Sequence, residues 1–90
     1  MVKELTIDLG ILHNHRLSMA LVHGFIRKEA EERGYMLAGK KFIKLTGDEI
    51  SAGININRFT VWRAIKELVE HGYIERIKLE GSLNISYAVV

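Results

Sequence analysis

Ninety residues with 48% hydrophobic and 27% charged side chains suffice for one small folded domain spanning 1–90, and are too apolar for a disordered tail. The chain has no cysteine, which excludes disulfides, thiolate nucleophiles, iron–sulfur clusters and cysteine-type zinc fingers, and suits a reducing interior. The formal charge of +2 is too small to name a partner, but it is unevenly spread: residues 35–46 hold Lys40, Lys41 and Lys44 without an acid, and residues 47–56 hold Asp48 and Glu49 without a base.

The most apolar stretch, Leu17 to Ile26, is broken by His23 and Gly24 and is too short to span a bilayer. Met1 to Gly10 carries Lys3, Glu4 and Asp8 where a leader peptide would be apolar, so a cytoplasmic protein without membrane contact is expected. Leu5 to Leu12 reads as a short strand or extended lead-in. Arg16 to Arg33 reads as a helix with two apolar stripes, Leu17–Leu21–Phe25 and Val22–Ile26–Ala30, closed by Gly34 as a C′ residue. Two stripes exceed what one small core needs, leaving one for the N-terminal segment or a second subunit.

Tyr35 to Leu45 has two short apolar runs around a glycine-containing turn, predicting a hairpin with Lys40 and Lys41 at its tip. Thr46-Gly47-Asp48-Glu49 fits a capping box opening a brief helix that ends near Gly53. Asn57 is placed to cap a longer helix from Arg58 to His71, closed by Gly72, with Val61, Ala64, Ile65 and Leu68 inward. Tyr73 to Leu79 and Leu83 to Val90 alternate around Glu80-Gly81-Ser82, predicting a second hairpin with Ile85, Tyr87 and Val89 on one side.

A short helix, a tight bend and a longer helix make a helix-turn-helix, whose second helix enters a DNA major groove. The bend needs one left-handed residue, and Asn55 stands there, four residues after Ser51; Val61, ten after Ser51, returns to the core between the helices. Over Phe42 to Val90 the sequence resembles the winged helix-turn-helix superfamily of DNA-binding domains. The resemblance rests on Asp48-Glu49-Ile50-Ser51, on the run from Ile56 to Leu68, and on His71-Gly72-Tyr73-Ile74. It is shared by GntR-like and MarR-like regulators, the N-terminal domains of plasmid and phage replication initiators, and small regulators of phages and archaeal viruses. Ser51 stands where that pattern has Ala, Asn55 where it has Gly, and Trp62 where it has a small polar residue. The resemblance implies an α+β winged helix-turn-helix: three helices, a C-terminal β-hairpin wing over residues 73–90, and here a small extra hairpin between helices 1 and 2. Its recognition helix would be residues 57–71.

The outward face of that helix presents Asn57, Arg58, Phe59, Trp62, Arg63 and Lys66. Asn57, Arg58 and Thr60, with Trp62 near them, are candidates for base edges, whereas Arg63 and Lys66 suit phosphates. Arg76 and Lys78 share one side of the wing, with Ser82 near its tip, and Lys40, Lys41 and Lys44 form a second possible phosphate grip. Each has a plainer reading. Arg63 and Lys66 could pair with Glu67 and Glu70, Phe59 and Trp62 could be satellite core or dimer contacts, and the three lysines could be ordinary surface.

No Ser/His/Asp set, phosphate-binding glycine loop or carboxylate pair has supporting context, so no enzyme and no cofactor is expected. His13, His15 and His23 lack a third ligand nearby, so no metal is expected either. The expected function is sequence-specific binding of double-stranded DNA by a small transcriptional regulator, acting as a homodimer on half-sites about one helical turn apart. A role in replication initiation or partition, and a winged helix used as a protein-interaction module anchored by Phe59 and Trp62, are the alternatives.

Overall fold

The computed structural model describes residues 5–78 and 85–90. Their elements run α1 (Leu9–Asn14), α2 (Leu17–Arg33), β1 (Tyr35–Leu37), β2 (Lys40–Lys44), α3 (Gly47–Ile54), α4 (Arg58–Glu70), β3 (Ile74–Ile77) and β4 (Ser86–Val89). The result is a small α+β fold of four helices and a four-stranded antiparallel sheet, an arrangement compatible with the expected architecture. Among the described residues no helix is long and apolar enough to cross a membrane.

The fourth helix is the first departure from expectation. The segment read as a strand or extended lead-in turns into α1, because Asp8 caps it by accepting a hydrogen bond from the Ile11 amide at 3.0 Å. That hydrogen bond lowers the Asp8 pKa, with desolvation opposing it. Ile11 is buried on α2, whereas Leu9 is exposed, so the apolar residues here follow a helical turn.

α2 is the central rod, packed by α1, α3, α4, β2 and β4. Val22, Ile26 and Ala30 are buried as one stripe; Phe25 is buried on the other, Leu21 is half-buried and Leu17 is exposed. The second stripe, expected to meet the N-terminal segment or a second subunit, is thus used inside the chain only at Phe25, whose ring lies over Gly53 of α3. Gly24 lets the N-terminal segment cross α2 closely, since a Cβ there would stand 2.7 Å from the Thr6 carbonyl oxygen. Gly34 differs from the expected left-handed cap: its backbone is extended, with φ −73° and ψ 168°. Glycine is needed there because a Cβ would press on the Ala30 carbonyl and lie 2.9 Å from that of Phe42.

The β1–β2 turn is Ala38-Gly39, both with positive φ, as a two-residue hairpin loop requires. Lys40 and Lys41, expected at the tip, lie instead in β2. The two hairpins are also not separate. β4 pairs with β2 through Ile43↔Tyr87 and Lys44↔Ser86, and with β3 from Ile74↔Val89 to Ile77↔Ser86, giving the sheet order β1-β2-β4-β3. As an inner strand β4 is covered on both faces. Tyr87 is buried in the main core, while Ser86 and Ala88 on the other face are buried too, so the expected one-sided alternation fails. On that second face Tyr35 Oη donates to Ser86 Oγ at 2.8 Å.

Candidate functional site

The α3–α4 unit forms as its residues dictate. Thr46 Oγ1 accepts from the Glu49 amide and Glu49 Oε1 accepts from the Thr46 amide, each at 3.0 Å, completing the capping box. Asn55 is left-handed at φ 55° and ψ 46°, and ends α3. The Ser51 hydroxyl donates to the Ile56 carbonyl, tying the turn to the helix before it. Asn57 Oδ1 then accepts from the Thr60 amide at 2.9 Å and opens α4. Val61, Ala64, Ile65 and Leu68 are all fully buried, fixing α4 against α2 and α3 as expected.

That anchoring leaves the opposite face free. Arg58, Phe59, Trp62, Arg63 and Lys66 are exposed, and Phe59, at 86%, is nearly as open as in an unfolded chain. Asn57 is exposed with its side chain engaged as the cap, and Thr60 is half-buried. Trp62 is 42% exposed because its indole lies over Gly47 at the start of α3. A Cβ at position 47 would come within 2.9 Å of that ring. Trp62 is thus partly a packing residue, while Phe59 is not.

The cations are partly engaged. Arg58 Nη1 lies 3.1 Å from Asp48 Oδ1, with both side chains well exposed. Arg63 Nε lies 3.4 Å from Glu67 Oε1, and Arg16 from α2's N-cap shares the same carboxylate. Lys66 forms no ion pair with the described residues. The plain pairing reading therefore applies to Arg63 and not to Lys66. Exposed pairs of this kind contribute about 0–1 kcal/mol and exchange readily for another anion.

The second lysine grip is dispersed. Lys40 pairs with Glu75 of β3, and with Lys41 it lines a cleft of about 340 Å³ against Arg27 and Glu31 of α2. Lys44 is exposed on the sheet face shared with Ser86, the face away from Ile43. Arg76 and Lys78 are both exposed; Arg76 pairs across the sheet with Tyr87, and Ser82 lies outside the described residues.

Sequence reasoning missed two arrangements. Asp48 as the partner of Arg58 was signalled by the spacing itself, since a tight turn brings the start of α3 beside the start of α4. The other is a cluster at the opposite end of α4, with His15 Nε2 3.2 Å from Tyr73 Oη and the His15 and His71 rings 4.5 Å apart. No local pattern announces a contact between residues so far apart in the chain. Among the described residues no three His, Asp or Glu side chains converge as metal ligands.

No family model matches the chain, and no curated protein matches it. Among solved structures, the crystal structure of a transcriptional regulator is similar with a TM-score of 0.48 and 12% identity over 77% of this chain. The match covers 42% of that longer chain.

Proposed function

We propose that this protein binds double-stranded DNA sequence-specifically as a small transcriptional regulator of the winged helix-turn-helix kind. The supporting observation is the α3–α4 unit: four buried residues pin one face of α4, while residues 57–66 on the same helix carry Arg58, Arg63 and Lys66 and no acid. A cationic, rigidly held helix surface is suited to a phosphate-lined groove. Arg58 is the base-reading cation, exchanging Asp48 for a guanine edge. Arg63 and Lys66 meet phosphates, and Arg76 and Lys78 of the β3–β4 hairpin hold the flanking backbone. Two copies act together on a two-fold symmetric site, since a single module of this size covers too little DNA for tight binding.

Titration into a randomised duplex pool, followed by fluorescence anisotropy and sequencing of the bound fraction, tests this reading. Enrichment of a symmetric motif, with affinity falling steeply as salt rises, is the expected result. Arg58→Ala should relax one base preference at a cost of about 1–3 kcal/mol, whereas Lys66→Ala should weaken all sequences evenly. Equal, sequence-blind losses from both would overturn the assignment, and tandem asymmetric repeats would point to replication or partition instead. The exposure of Phe59 and Trp62 favours a second reading, a protein-docking module, which requires that no duplex binds even at low salt.

A further inference from the structure

We propose that Phe59 reads thymine, its ring seating on the 5-methyl group in the major groove, so that the target carries thymine opposite the start of α4. The inference rests on the DNA-binding reading of α4 and adds to it the base chemistry the helix selects. Phe59 is the second residue of α4 and stands 86% exposed, so its ring contributes little packing inside the chain and faces outward. Residues near the start of a groove-bound helix are those that reach base edges. A phenyl ring has no donor or acceptor, and the thymine methyl is the apolar group among the edges the major groove displays. Trp62, one turn further along the same helix, is braced on Gly47 and still 42% exposed, so a second aromatic stands on the outward face of α4. Arg58, Arg63 and Lys66 around the pair supply charge complementary to the phosphates on either side of such a contact.

The experiment uses the enriched duplex with each thymine replaced in turn by deoxyuridine, which pairs identically and lacks only the methyl. Wild-type protein should lose about fourfold in affinity at one or two positions per half-site, the value of one buried methyl group. Phe59→Ala should bind the thymine duplex about fourfold more weakly, and then be indifferent to uridine at those same positions. Lys66→Ala should keep the full methyl dependence at reduced overall affinity. Circular dichroism and a melting curve establish that Phe59→Ala remains folded, as an exposed residue should. Unchanged wild-type affinity for every uridine duplex would overturn the inference while leaving DNA binding in place. So would methyl dependence that survives in Phe59→Ala. Absence of binding to any duplex at low salt would overturn this inference and the DNA-binding reading together.

Discussion

α2 and α4 lie against each other, yet they are used in opposite ways. In α2, of 17 residues, the consecutive positions 22–26 are all buried, so the helix is surrounded. In α4, of 13 residues, burial is confined to Val61, Ala64, Ile65 and Leu68, a single stripe. A surrounded helix fixes the fold and has little left to offer a partner. A one-sided helix is held as firmly at its base while keeping most of its circumference open to solvent. The division explains why the bulky aromatic on α2, Phe25, is buried while Phe59 on α4 is open to solvent.

Substitutions can break or sharpen this contrast. Ile26→Ala, in the centre of α2, should cost about 2–5 kcal/mol through a cavity that neighbours on every side cannot fill. Phe59→Ala on α4 should stay within about 0.5 kcal/mol in the same urea unfolding experiment. Comparable losses from the two would dissolve the contrast. Gly24→Ala should cost about 1–3 kcal/mol, because its Cβ would meet the backbone of Thr6 rather than a movable side chain.

A pH effect should come next, and it sits on α2 rather than on α4. His23 is 3% exposed with Nδ1 unpartnered among the described residues. Burial, and then the nearby Arg27, lower its pKa below the usual 6.5, with Asp8 pulling the other way. Its folded form therefore resists protonation. Stability should be full above pH 6.5 and decline as pH falls through that value toward the lowered folded pKa. Melting curves from pH 8 to 5 should show the decline, and His23→Leu should flatten it. A change in stability as small as that of Phe59→Ala is expected for Asp48→Asn, within about 0.5 kcal/mol because the Arg58 pair is exposed. The same variant should raise duplex affinity severalfold, by freeing Arg58 and removing a negative charge on α3 from beside the start of α4.

The helical half of the molecule was legible because its signals are local. Thr46 and Glu49 cap each other three residues apart, Asn55 tolerates a left-handed turn, and Val61 to Leu68 repeat at helical spacing. The candidate face of α4 followed from that stripe by exclusion. What escaped were features set at a distance. Ile7, Leu9 and Ile11 look β-like until Asp8 captures the Ile11 amide. Gly34 looks like a left-handed cap until the close passage of β2 supplies a different reason for it. The lysines of β2 looked like one patch, but strand alternation sets Lys41 on the opposite face from Lys40 and Lys44, and Glu75 arrives from another strand to engage Lys40.

The sheet order has a consequence for how the chain comes to be folded. β4, later in the chain than either of its neighbours, lies between β2 and β3, so the two halves of the sheet are joined only when Tyr87 reaches Ile43. The α3–α4 unit, the β1–β2 hairpin and the β3–β4 pair depend on nearer contacts and can assemble earlier. Until β4 docks, β2 presents an unpaired edge, the kind of surface on which nascent chains mispair. If docking comes late, weakened β4 contacts should accelerate unfolding and leave the folding rate nearly unchanged. The lifetime of the native state would then be governed by the release of this one short strand.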